Sequence, residues 1–289
     1  MTEKIYPVPG TQSFIPGTEI EIVNPDLARG SFKYALFDFD GTVSLMREGW
    51  QRIMLPVMVD SIRGETPSTP EIVAACEEYI EESTGIQTVL QMEHLVEMVR
   101  EFGFVPEDQI LDAKGYKQVY NDRLMVPVNE RIAKVDSGEL SLDDVTVRGS
   151  REFVKNVFDR DLTIYIASGT DQDDVRNETA KCQIDQWCKG GIFGAIGNVE
   201  EYSKDRVIKG LLADFGLHGS ELFVVGDGPV EIKNAKSNGA VSIGVASDEV
   251  AGFGWNMHKR DRLIRSGADI MVADFGEYEK LAAYLFGEI

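Results

Sequence analysis

Cysteine and histidine are both scarce in this chain, with three of each in 289 residues. Cys76, Cys182 and Cys188 form an odd set with no CxxC or Cys/His ligand spacing, which argues against a disulfide framework and a structural zinc centre. A reducing, cytoplasmic setting is therefore expected. His94, His218 and His258 are scattered, and each reads as a packing or surface residue. Long apolar runs are missing too. No stretch approaches the ~18 apolar residues of a membrane span, and Met1 to Gly10 carries no apolar leader, so neither a membrane protein nor a secreted one is expected. Basic residues are outnumbered, 29 against 49 acidic, for a net charge of −20. Such a surface repels nucleic-acid phosphates and anionic lipid, so no nucleic-acid partner is expected. There is no internal repeat or low-complexity tract.

What is present is a hydrophobic fraction of 43% in distinct patterns, enough for a large core plus an inserted unit. Residues 1–31, with Pro7, Pro9, Pro16 and Pro25, read as an extended arm with a short edge strand near Glu19 to Val23. Tyr34 to Phe37 is an apolar run suited to a strand buried on both faces. Residues 47–147 turn helical, with Ile72, Val73, Cys76, Tyr79 and Ile80 at helical spacing. From residue 148 strands and helices alternate: a helix around Phe153 to Phe158, strands at Leu162–Ala167, Ile192–Ile196, Leu222–Val225, Val241–Val245 and Ile270–Val272, a helix carrying Val207 to Phe215, and a closing helix from Tyr278 to Phe286. This pattern predicts an α/β fold, a doubly wound parallel sheet formed by residues 32–46 and 148–289, interrupted by an all-helical insertion.

In such sheets ligands bind beyond the carboxyl ends of the strands. There the sequence places Asp38 and Asp40 after the first strand, Ser168-Gly169-Thr170 after the second, and Gly226-Asp227-Gly228 after a later one. Two carboxylates at the end of an apolar strand are costly without a cation or hydrogen bonds to compensate. Magnesium takes hard oxygen ligands through one or two carboxylates, water and phosphate, and Asp38 and Asp227 fit that demand. Glu231, one turn beyond Asp227, reads either as a holder of metal-bound water or as an acid favoured near a helix N-terminus after Pro229. Ser168 and Gly169, read as opening a helix, would offer a hydroxyl and free amides to phosphate, although Ser is also a common N-cap. Lys204 is a candidate point charge for the same phosphate, with Lys209 its competitor. The run Lys259, Arg260, Arg262 and Arg265 before Gly267 reads as cations near a helix C-terminus.

Taken together, Asp38-Phe39-Asp40-Gly41-Thr42-Val43, Ser168, Lys204 and Gly226-Asp227-Gly228-Pro229-Val230-Glu231 resemble, in order, the four motifs of the haloacid dehalogenase superfamily, on its Rossmann-like core. The likeness is to the C1-capped branch, with its phosphoglycolate phosphatases and β-phosphoglucomutases. It implies that Asp38 is a nucleophile forming an aspartyl-phosphate, and that Asp40 is the general acid and base. It also implies that Asp38, the main-chain carbonyl of Asp40 and Asp227 ligate Mg²⁺, while Ser168, the Gly169 amide and Lys204 hold the phosphoryl oxygens. An acid at position 40 is not expected of the dehalogenating members or the ATP-driven pumps. The helical insertion would be the C1 cap, with Arg47, Arg52, Gln87, Thr88 and Gln91 as candidate cap or hinge contacts. The short stretch from Ser168 to Lys204 leaves little room for a second cap. The resemblance therefore implies a Mg²⁺-dependent phosphatase of a small phosphorylated metabolite, such as a sugar phosphate. It leaves open a phosphomutase or phosphotransferase, and, in another class, a catalytically idle binding domain. Neither the substrate nor the oligomeric state is legible in the residues.

Overall fold

The structure is a computed structural model that describes residues 5–196, 207–210 and 219–289. Among the described residues seven strands form one sheet: β1 (Glu21–Ile22), β2 (Tyr34–Phe37), β3 (Thr163–Asp171), β4 (Gly191–Ala195), β5 (Leu222–Gly226), β6 (Val241–Val245) and β7 (Ile270–Val272). Their order is β1-β7-β6-β5-β2-β3-β4, parallel throughout except that β1 pairs antiparallel with β7. The chain runs outward from β2 to β4 on one side, then crosses back to β5 and runs outward again on the other. The reversal beside β2 opens the crevice in which ligands of such sheets bind.

The alternation of each strand sorts its side chains between two layers. Ala35 and Phe37 of β2 join Phe223 and Val225 of β5 in the larger core, which is covered by α5 (Ser150–Asp159), α6 (Gln172–Lys181) and α9 (Tyr278–Leu285). Leu36, Tyr165, Leu222 and Val224 face the opposite side with Ala235 of α7 (Pro229–Ser237). Met271 of β7 packs there with Leu263 and Ile264 of α8 (Met257–Ser266). Four further helices, α1 (Trp50–Arg63), α2 (Pro70–Glu82), α3 (Thr88–Phe102) and α4 (Ala113–Ser137), bury a separate core of Met54, Met58, Ile72, Met92, Leu95 and Tyr120 among others. The two passages between sheet and helices bond to each other, Leu45 N to Val145 O at 2.8 Å and Val147 N to Val43 O at 3.0 Å.

The arm is anchored rather than loose. β1 is the edge strand expected near Glu19 to Val23, and Glu21 is buried in an ion pair with Arg260 (2.5 Å). β3 runs past its expected end at Ala167 to Asp171, with a register shift against β4 after Ala167. The predicted helix carrying Val207 to Phe215 is described only at 207–210. No helix among the described residues is long and apolar enough to cross a membrane.

Candidate active site

The site is built where β5, β2 and β3 lie side by side. Asp38 follows β2, and its amide bonds to Val225 O at 2.8 Å, which ties the start of the turn to β5. The turn from Phe39 to Ser44 folds back on itself: Val43 N and Ser44 N both bond to Phe39 O at 2.9 Å. Gly41 sits in the middle with φ +73°, a left-handed conformation that glycine adopts without penalty, and a side chain there would collide with the Asp227 carboxylate. Thr42 Oγ1 donates to Asp38 Oδ2 at 3.0 Å. Asp38 and Asp227 are each only 5% exposed and line one cavity with Asp40, Ser168, Gly169 and Thr170.

Asp40 is held by hydroxyls. Ser168 Oγ donates to Asp40 Oδ2 at 3.0 Å and Thr170 Oγ1 donates to the same oxygen at 2.8 Å, while Thr170 N donates to Ser168 Oγ at 3.0 Å. Asp40 Oδ1 is buried without a hydrogen-bond partner among the described residues, its closest cation being Arg47 Nε at 3.9 Å. This arrangement corrects the expectation that Ser168 and Gly169 open a helix. Both lie within β3, and α6 begins only at Gln172, because Ser168 and Thr170 are spent on one another and on Asp40 rather than on capping. Gly169 serves close packing: a Cβ there would stand 2.6 Å from the Ile86 carbonyl oxygen of the helical unit.

The helical residues divide. Arg47, Thr88 and Gln91 line the cavity. Arg47, however, is turned to α6, where Nη2 pairs with Glu178 Oε1 at 2.6 Å and Asp174 Oδ2 at 3.1 Å. That pair is buried. Desolvation pushes the Glu178 carboxyl up to about 7 against the pull of Arg47, and the nearby acids keep Arg47 firmly charged. Gln91 donates to Ser83 Oγ at 3.0 Å. Gln87 is buried ahead of α3 but does not line the cavity. Arg52 does not line this cavity: its side chain is 71% exposed and lies 3.9 Å from Glu48. Glu231 is buried beneath the Thr84–Gly85 loop and outside the cavity lining. Lys204 lies outside the described residues.

Several cavity residues escaped the sequence reading. Trp50, Tyr120 and Leu124 line the cavity together with the carboxylates. Tyr120 and Leu124 belong to an i, i+4 stripe with Tyr116 and Val128 on α4, which marks a buried face without saying what it faces. Lys259 is the other omission and a second correction. It lies in the first turn of α8, not the last, with Nζ 2.9 Å from Asp227 Oδ2 and 2.7 Å from Glu249 Oε1. Arg265 alone of that run is in the last turn.

The profile of the haloacid dehalogenase-like hydrolases matches residues 32–239, more than half of the chain. The chain belongs to this hydrolase family. The matched span takes in the β2 turn, β3 and the β5 turn that build the cavity. No curated protein matches the hydrolase in sequence. Among solved structures it is similar to a phosphonoacetaldehyde hydrolase-like protein from Oleispira antarctica (TM-score 0.61, 11% identity, 91% of this chain and 95% of that one). It is similar also to a predicted phosphoglycolate phosphatase from Haemophilus somnus (0.58, 16%, 87% and 98%) and to a β-phosphoglucomutase from Clostridium difficile (0.57, 13%, 89% and 98%). At these identities the likeness is one of fold.

The donors in the cavity suit a hard divalent cation. Asp38 and Asp227 supply two carboxylates just past the ends of neighbouring strands, hard oxygen donors of the kind magnesium accepts. Among the described residues no group of three or more His, Cys, Asp or Glu side chains is arranged to hold a metal ion.

Proposed function

We propose that this hydrolase is a Mg²⁺-dependent phosphatase that acts on a small phosphorylated metabolite through an aspartyl-phosphate on Asp38. The observation that carries the reading is the division of labour between the two acids. Thr42 Oγ1 donates to Asp38 Oδ2 and orients the carboxylate to which the attack on phosphorus is assigned. Ser168 and Thr170 hold Asp40 Oδ2, and Oδ1, which has no hydrogen-bond partner among the described residues, is the oxygen assigned to carry the proton.

In the first half-reaction Asp38 bonds to phosphorus, the bond to the leaving oxygen breaks, and Asp40 gives that oxygen its proton. In the second, water attacks phosphorus, Asp40 takes its proton, and the bond to Asp38 breaks to release phosphate. Bound Mg²⁺ would offset the charge of the phosphoryl group and of Asp38 as they approach. Asp38, Asp227 and the Asp40 carbonyl would hold it. Arg47 stays on α6, and the buried Arg47–Glu178 pair fixes the entry to the helical unit beside Asp40.

Residues 47–147 are the cap in this reading, with the paired passages at Val43–Leu45 and Val145–Val147 as its hinge. The Thr84–Ile86 loop, Trp50 and Tyr120 cover the carboxylates, and so exclude water from the phosphoryl group. The test is release of phosphate from an aryl phosphate and a panel of metabolite phosphates with Mg²⁺. Wild type should release phosphate from at least one, and Asp38→Asn from none. Activity that survives Asp38→Asn would overturn the covalent route, and isomerised product with little free phosphate would point instead to a phosphomutase.

A further inference from the structure

Lys259 stands where a cation is electrostatically disfavoured. Asn256 caps α8, its side chain accepting from Lys259 N at 3.0 Å, so Lys259 is the third helical residue and lies against the positive end of the helix. It is also buried, with its side chain 8% exposed. Two carboxylates compensate: Asp227 at the end of β5, and Glu249 from the loop between β6 and α8. That loop is drawn back to the sheet by Asn256 N on Ala246 O at 2.7 Å, which brings Glu249 and the first turn of α8 to the same spot.

The contact falls on a defined atom. Lys259 Nζ takes Asp227 Oδ2, and Gly41 packs against the same oxygen, so Oδ1 is the atom of Asp227 left to bind a cation. A fixed ammonium 2.9 Å from one oxygen of a carboxylate lowers the pull of that carboxylate on a divalent ion. A second carboxylate 2.7 Å from the same ammonium returns part of that pull.

We propose that Lys259 and Glu249 are a positioning pair that sets the divalent-cation affinity of Asp227, Lys259 attenuating it and Glu249 offsetting Lys259. The inference rests on the reading of Asp227 as a metal ligand. It makes a prediction that a merely structural role does not, namely that the two variants move in opposite directions. Titration of the full chain with Mg²⁺ alone, followed by isothermal titration calorimetry, should find Lys259→Met binding roughly tenfold tighter than wild type and Glu249→Gln weaker by a similar factor. Lys259→Arg, which keeps the charge, should stay close to wild type. Unchanged or parallel shifts in folded Lys259→Met and Glu249→Gln would overturn the pair's role while leaving the metal reading intact. Absence of Mg²⁺ binding in wild type would overturn both. Should one variant fail to fold by circular dichroism, the direction of the other decides.

Discussion

Thr170 Oγ1 lies 2.8 Å from Asp40 Oδ2, beside the Ser168 hydroxyl that reaches the same oxygen at 3.0 Å. Two short side chains of β3 thus fix the carboxylate in the turn after β2, and the oxygen they leave alone is the one to which the proposed reaction assigns the proton. A hydrogen bond to a charged group contributes about 1.5–3 kcal/mol. Thr170→Val should therefore lower kcat roughly tenfold with little change in KM, while Thr170→Ser should retain most of the rate. Steady-state kinetics on any substrate that gives turnover checks this.

Gly169 and Ile86 touch across the boundary between sheet and helices. With a Cβ placed 2.6 Å from the Ile86 carbonyl oxygen, Gly169→Ala must push the Thr84–Ile86 loop outward. Overpacking of this kind costs about 1–3 kcal/mol. Urea unfolding should show that loss, and KM should rise because the loop forms the roof of the cavity.

The Arg47–Glu178 pair gives the fold a pH dependence. Burial raises the Glu178 carboxyl from its ordinary 4.5 to about 7, so between those values the folded chain holds a proton that the unfolded chain has lost. Its contribution to stability is complete below 4.5 and is lost as pH rises through 7. Glu178→Gln should flatten that part of the stability profile. At the acid end of that window Glu178→Gln should stay close to wild type in stability, because glutamine is the neutral analogue of the protonated carboxyl and Arg47 keeps Asp174 and Asp40 beside it. Thermal unfolding across pH 5 to 8 measures both effects, roughly spanning the titration of a carboxyl shifted in this way.

Chelation should silence the enzyme reversibly. EDTA is expected to abolish phosphate release, and Mg²⁺ to restore it, with the Asp227→Asn variant restored only poorly. Phosphate release measured before and after dialysis decides the matter.

The sheet was legible because the strands differ sharply in composition from what surrounds them. Tyr34–Phe37, Val241–Val245 and Ile270–Val272 are short apolar runs that can be stable only when buried on both faces, and they form β2, β6 and β7 with those bounds. The end of β3 was not legible. Ser168, Gly169 and Thr170 have the composition of a helix start, yet they continue β3, with both hydroxyls bonded to the Asp40 carboxylate in the turn after β2. Arg47 and Arg52 look alike in sequence. One is buried against Glu178 on a helix more than a hundred positions away, and the other points to solvent.

The sequence by itself determined the strand-and-helix order, the family, and the acids Asp38, Asp40 and Asp227 at the strand ends, because each of these follows from local pattern. Only the tertiary structure decided how those acids are partnered. Thr170 to Asp40, Lys259 and Glu249 to Asp227, and Gly169 to Ile86 all join segments far apart in the chain. Their energy depends on distances of about 3 Å, which no spacing along a single chain specifies.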